Sequence, residues 1–314
     1  PLCVNNGTIL YVGGTGPGNS TSIQSAINDT NDGDTVFVYD DSSPYFEHGI
    51  VINTSITLKG EDKNTTVIDG KGTFDRIIWI KVDNVSISGF TITNGSYVGV
   101  FMMGQHVVIA DNALTGNQKG VDYMYAHHSI ISSNLIYANR QYGITGSESF
   151  HVAITNNTIH SHNYGAIALS SCKNCTIAGN ELYHNSWGIS LHSGWAISRE
   201  QNNVVKRNTI YSNHDGIFIE KSINNVVTEN NIIGNYNNAG FIGGIELANN
   251  PYNPTRPCYN QWKNNYWSDW NIPLPRPIFG TIGGVIMWWI FGIVIPWIQF
   301  DWHPLMQPYE WWKE

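Results

Sequence analysis

The chain has 314 residues, of which only 13% are charged, and a net charge of −8. That balance excludes a nucleic-acid-binding surface, and no Lys/Arg run contradicts it. Four cysteines over this length are no disulfide framework, while abundant Gly, Asn, Ser and Thr suit a chain made largely of turns.

Taken in order, the chain opens at Pro1 without Met or a charged-then-apolar leader, as expected if a targeting peptide has been removed. Residues 8 to 12 (Thr-Ile-Leu-Tyr-Val) read as a first strand, ended by a Gly-rich turn. Ser20, Thr21 and Ser22 are positioned to cap a short amphipathic helix in which Ile23, Ala26 and Ile27 share a face, and such a helix would close the open end of a stacked core. Strands are expected at Thr35 to Tyr39, at Ser55 to Gly60 and at Thr66 to Gly70. Nine Asn-x-Ser/Thr sequons begin at Asn6, Asn19, Asn28, Asn53, Asn64, Asn84, Asn94, Asn156 and Asn174, which points to an exported chain carrying sugar at its surface.

From Tyr97 to Glu246 one short pattern is written seven times. Each copy opens with Gly and a small or β-branched residue: Gly99-Val100, Gly120-Val121, Gly143-Ile144, Gly165-Ala166, Gly188-Ile189, Gly216-Ile217 and Gly244-Ile245. An Asn before an apolar strand recurs at 112, 134, 157, 180, 208 and 231, in steps of 22, 23, 23, 28 and 23. A fixed period of this size signals a solenoid, and alternation inside each copy makes its units strands. Ladders of Val121, Ile144, Ile167, Ile189 and Ile217 should fill the core, with the recurring Asn stacked in a turn. Two coils read as longer, through Trp195 to Asn203 and Gly234 to Phe241, and insertions in a solenoid often line the binding face.

Thr21-x-Ile23-Gln24-x-Ala26-Ile27, Gly33-Asp34-Thr35-Val36, Ser55-Ile56-Thr57-Leu58 and Thr66-Val67-Ile68-Asp69-Gly70, with the repeats behind them, resemble pectin-lyase-like parallel β-helix proteins. More narrowly, they resemble the exported β-helix repeat proteins abundant in archaea, relatives of periplasmic copper-site maturation and carbohydrate-binding β-helices. The resemblance covers roughly residues 10 to 270. It implies an all-β, single-stranded right-handed parallel β-helix with an N-terminal amphipathic helix cap and an apolar C-terminal cap. Three segments follow: 1–75 with the capping helix and first coils, 76–270 with the regular coils, and 271–314 as an apolar cap or assembly segment. Within the last, 278–300 is uncharged and long enough for a membrane span, but Pro296, four glycines and the absence of a basic flank favour a cap or hairpin over an anchor.

The chemistry is sparse. Outward columns of Asp122, Thr145, Ala168, Ser190, Phe218, Glu246 and of Met124, Ser147, Ser170, His192, Glu220, Ala248 hold isolated acids, and only His192 with Glu220 forms a pair able to exchange a proton. Polygalacturonases resembling this fold carry several aspartates with a His and an Arg-x-Lys, and pectate lyases a calcium-binding Asp cluster with an Arg; neither pattern is present. No catalytic residue, cofactor or metal site is assigned, although His127, His128, His160, His162 and His184 fall near successive turns. Cys172 and Cys175 could clamp a turn or remain buried thiols, and Cys3 and Cys258 sit too far apart to bond except between stacked copies. These features favour a non-enzymatic extracellular structural protein assembling head to tail with its own kind, through its first strand and Trp288, Trp289, Trp297 and Trp302. The alternatives are a carbohydrate-binding or carbohydrate-active β-helix engaging cell-surface polysaccharide, and a periplasmic metal-handling protein.

Overall fold

The computed structural model describes residues 7–194, 199–244, 259–284 and 293–310. Each coil contributes three short strands, as in Lys119–Met124, Ile130–Ser132 and Leu135–Tyr137, after which Tyr142–Ser147 begins the next coil directly above the first. The stacked strands make three parallel sheets. The front sheet runs from Ile50–Ile52 through Val98–Met102, Lys119–Met124, Tyr142–Ser147, Gly165–Ser170, Trp187–His192 and Asp215–Glu220 to Asn237–Gly244 and Arg276–Gly284. The architecture is a right-handed parallel β-solenoid.

Strict alternation turns one apolar residue per strand inward, and equal coil lengths bring equivalent residues into register. Val121, Ile144, Ile167, Ile189 and Ile217 stack without exposure beneath the front sheet, and Leu114, Ile136, Ile159, Leu182, Ile210 and Ile232 do so beneath the back sheet. Tyr123 fills the core where its column holds Gly146; a Cβ there would stand 2.0 Å from the Tyr123 ring. The opening glycines answer to close packing between coils, since a Cβ at Gly188 would lie 2.5 Å from the carbonyl oxygen of Gly216.

The corners are tied by buried amides. Asn112, Asn134, Asn157, Asn180, Asn208, Asn230 and Asn265 form one ladder in which, after the first rung, each Oδ1 accepts from the backbone N–H of the Asn one coil earlier, at 2.9–3.0 Å. Asn230, not Asn231, is the rung; Asn231 belongs to the following strand and reaches Tyr309 instead. A second ladder, which sequence reading did not find, runs through Asn117, Asn139, His162, Asn185, Asn213, Asn235 and Asn238. The first ends on Asp301, whose Oδ2 accepts from the backbone N–H and Nδ2 of Asn265 and from Trp267 Nε1 at 2.9–3.1 Å.

Both expected caps are corrected. The sole helix among the described residues, Ile23–Asn28, does bury Ile23, Ala26 and Ile27 behind an N-cap at Ser22. At six residues it spans under two turns and is too short to form a substantial cap. At the other end no separate apolar cap is laid over the coils by the described residues. Arg276–Gly284 joins the front sheet parallel to Asn237–Gly244, and Ile293–Asp301 returns antiparallel along it, so the apolar tail is spent on extending a sheet edge. No helix among the described residues is long and apolar enough to cross a membrane.

The last regular coil is also corrected. Ala239 pairs with Ile217, so the coil opens at Asn238-Ala239, six residues before Gly244-Ile245. Gly234 to Phe241 is therefore ordinary turn and strand, and the added length falls between Gly244 and Tyr259, mostly outside the described residues. The other long loop rejoins the solenoid at Arg199–Glu200, which pairs with Ser222–Ile223.

Candidate functional site

The outward face of the front sheet carries three columns. The central one runs Trp79, Phe101, Asp122, Thr145, Ala168, Ser190, Phe218 and Gly240, and a second runs Ser147, Ser170, His192, Glu220 and Ile242. Glu246 and Ala248, expected to end these columns, lie outside the described residues, and Gly240 and Ile242 take their places. A third column, which sequence reading missed, is Lys119, Tyr142, Gly165, Trp187, Asp215 and Asn237. Its members directly precede the opening position of each coil, which in the coil of Gly165 is taken by Ala166 and not, as the repeat suggested, by Gly165 itself. Small residues at Ala168, Ser170 and Ser190 sink the middle of the face into an open depression of about 420 Å³, walled by Tyr142, Trp187 and Phe218 and flanked by Asp122, His192 and Glu220. Through Phe218 it adjoins a second depression of about 530 Å³ lined by Asp215, Tyr236, Asp269, Trp270 and Arg276. Together they form one trough running across the coils.

Its polar groups are held in place. His192 Nδ1 accepts the backbone N–H of Gly194 at 2.7 Å, which leaves Nε2 as the protonated nitrogen, 3.4 Å from Glu220 Oε2. Lys221 Nζ stands 3.7 Å from the other carboxylate oxygen. The expected pair is thus adjacent, in charge-pair contact and without a formed hydrogen bond, with the His192 ring held by the bond from Gly194. Asp122 accepts from Lys119 Nζ at 2.9 Å and from the Thr145 hydroxyl. At the far end Arg276 forks onto Asp269 at 2.8 and 3.3 Å while lying over the Trp267 ring; burial pushes the Asp269 carboxyl up, but those bonds and that charge outweigh it and hold the group low. Asp122 and Glu220 are four coils apart, about 19 Å along the axis. That is well beyond the separation at which two carboxyls flank one glycosidic bond.

The remaining expected sites are spread over the molecule. Asn28, Asn53, Asn64, Asn84, Asn94, Asn156 and Asn174 are exposed, Asn19 is half-buried with its amide donating to Gly13 O, and Asn6 lies outside the described residues. Cys172 and Cys175 are neighbouring free thiols in the core; the hydrogen bond Cys172 donates to Cys175, then burial, raises the Cys172 thiol. Cys3, Cys258, Trp288 and Trp289 lie outside the described residues, whereas Trp297 and Trp302 are exposed on and after the terminal strand. His160 stacks within the Tyr137, Tyr183 and Tyr211 column at 4.6–5.5 Å, as its position implied. The single-file stack of His106, His128 and His151, at 5.3 and 4.9 Å, escaped notice because their residues sit in turns rather than strands.

Comparison with known proteins adds to this geometry. The solved structure of pectate lyase Pel9A is similar at a TM-score of 0.57 and 14% identity, over 83% of this chain and 80% of that one. The A-module of mannuronan C-5 epimerase AlgE6 from Azotobacter vinelandii is similar at 0.55 and 14%, over 84% and 83%. The Dettilon tailspike protein is similar at 0.53 and 14%, over 75% of this chain, which spans only 58% of that one. No curated protein sequence matches. These likenesses are of fold alone. They nonetheless overturn the expectation of a non-enzyme, which rested on missing acidic motifs: the same solenoid carries a named lyase and a named epimerase. The family described as periplasmic copper-binding protein (NosD) matches residues 27–196, a little over half of the chain.

Proposed function

The chain belongs to the NosD family, and from that premise and the trough we propose that it is an exported carbohydrate-binding and carbohydrate-active β-helix. The observation carrying this reading is the convergence of Tyr142, Trp187 and Phe218 with Asp122, His192 and Glu220 in one open trough. Flat aromatic faces beside hydrogen-bonding carboxylates suit a chain of sugar rings, apolar on their faces and polar at their edges. The glycan lies across the coils. Glu220, oriented by His192, takes or returns one proton, which is single-site acid–base chemistry and not a hydrolysis between two carboxylates.

The family description implies copper, and the residues present do not fit it. Imidazole binds a metal in the plane of its ring at about 2 Å. The rings of His106, His128 and His151 are within 11° of parallel and about 5 Å apart, so their nitrogens do not converge. The Cys172 and Cys175 thiols are sealed in the core, and no group of three or more ligating side chains among the described residues is arranged around a common point. No step is derived through copper.

The test is binding and turnover. Titration calorimetry against polygalacturonate, mannuronan and neutral glucans should find a ligand whose affinity drops at least tenfold in Trp187→Ala. Glu220→Gln should keep that affinity and lose product formation. Unchanged affinity in Trp187→Ala for every glycan bound would sink the trough as the site. A second reading, end-to-end self-association, has the exposed Phe279 and Trp302 (66% and 62%) on the terminal hairpin and the segment after it in its favour. Sedimentation showing only monomer at high concentration removes it.

A further inference from the structure

Two coils before Lys119, at the N-terminal end of the same face, Arg76 occupies the column of Val98 and Lys119: Ile78 pairs with Val100, and Lys119 with Val98. Its guanidinium lies over three rings, 4.6 Å from the centroid of Phe101, 4.8 Å from Trp79 and 5.6 Å from Tyr97. Lys81 Nζ stands 3.8 Å from the Trp79 ring centroid. Two cations are thus gathered on one aromatic platform, and neither makes an ion pair among the described residues. The nearest acid in sequence, Asp75, accepts the backbone N–H of Arg76 and not its side chain. Most telling, Arg76 Nε and Trp79 Nε1 are both buried and both lack any hydrogen-bond acceptor. Buried donors are nearly always satisfied, and two adjacent ones left open beside two unpaired cations describe the complement of an oxyanion.

We propose that Arg76, Trp79 and Lys81 form a subsite for the carboxylate or sulfate group of an acidic sugar residue, extending the trough toward the N-terminus. The outer Nη groups of the guanidinium offer N–H donors to the oxygens of the anion and Lys81 adds charge from the rim, while the buried Arg76 Nε and Trp79 Nε1 meet the anion only if the two side chains part to admit it. The trough then has a cationic N-terminal end in Arg76 and Lys81, whereas Glu220, Asp215 and Asp269 crowd its C-terminal half. Acidic sugars are therefore favoured at the N-terminal end, whereas Arg276 and Lys221 offset part of the acidic charge in the C-terminal half.

This inference rests on the trough reading for its ligand being a glycan, and one set of titrations separates the two. Oligogalacturonate, its neutral galactose counterpart and a sulfated oligosaccharide are titrated into the full chain and into Arg76→Gln, Arg76→Lys, Lys81→Gln and Trp187→Ala. Acidic oligomers should bind at least tenfold more tightly than neutral ones, with an affinity that falls with salt. Arg76→Gln should remove that preference, Lys81→Gln should weaken it a few-fold, and Arg76→Lys should retain part of it; comparison of carboxylated with sulfated oligomers identifies the anion. Equal affinity for acidic and neutral oligomers, or a preference indifferent to both Arg76→Gln and Lys81→Gln, overturns the subsite and leaves the trough standing. Loss of acidic binding in Arg76→Gln with no effect of Trp187→Ala overturns the trough and leaves the subsite. If Arg76→Gln melts early, the exposed Lys81→Gln decides.

Discussion

His162 shows how a single residue departs from its column. It stands where every other described rung of the second ladder is Asn; its Nδ1 lies 3.1 Å from the backbone N of Asn139, and its Nε2 is buried without a partner. Burial depresses its pKa from 6.5 to about 4. The unfolded chain therefore binds more protons than the folded one between those values, and stability falls as pH drops through that window, by about 3 kcal/mol at most. Below pH 4 no further loss arises from this group. His162→Asn should restore the amide pairing, raise the urea midpoint at pH 7, and flatten its decline between pH 6.5 and 4. An unchanged acid slope would show that another group is responsible. The sequence singled this residue out only as one of five histidines near successive turns, with no sign of the ladder, because the ladder it interrupts lies in turns where no alternation marks the inward side.

At the scale of the element, the amide ladders matter more than any one strand, since three-residue strands contribute few hydrogen bonds each. Asn180 donates to Ile154 O and Asn208 Oδ1, and accepts from Asn157 N and Nδ2, all at 2.9–3.0 Å and buried. Asn180→Ala leaves donors and acceptors stranded in two coils and should cost about 3–5 kcal/mol; Asn28→Ala, on an exposed turn, should cost under about 0.5 kcal/mol by the same denaturation measurement. The coils and the first ladder were legible because a glycine or an asparagine recurs at fixed spacing. Legibility failed where the period broke. Gly244-Ile245 imitates an opening six residues late, and the true opening, Asn238-Ala239, lacks the glycine. The column holding Trp187 and Asp215 was hidden for a related reason: two inward residues follow it, so simple alternation from the glycine assigns it no face.

For the whole molecule, the consequence of stacking is near-independence of distant parts, because a coil touches only the coils beside it. Asp301→Ala removes the acceptor of Asn265 and Trp267 and should destabilise by about 3 kcal/mol or more. The loss should remain local. Hydrogen exchange is expected to accelerate in Gln261–Lys263 and Tyr266–Trp267 while Val108–Ala110 and Ile130–Ser132 keep their protection. Uniform acceleration along the chain would mean that the solenoid opens as one cooperative unit. The shape of the molecule was readable from its period, while the trough was not, since it depends on which side chains of five coils are small enough to leave room.

The Asp301 rung has one more implication. In the first ladder each Nδ2 also donates back to a carbonyl of the preceding coil, but the rung-to-rung bonds all run one way, every Oδ1 accepting from the Asn one coil earlier, so the dipoles of those bonds add along the axis. A carboxylate at the receiving end is then what an acid is to a helix N-terminus: fixed negative charge facing a row of aligned hydrogens. It accepts without donating, so it terminates the series. The ladder, not the chain, is in that respect punctuated: coils could be inserted before Asp301 without disturbing it, but a rung placed after Asp301 would find no amide to continue from.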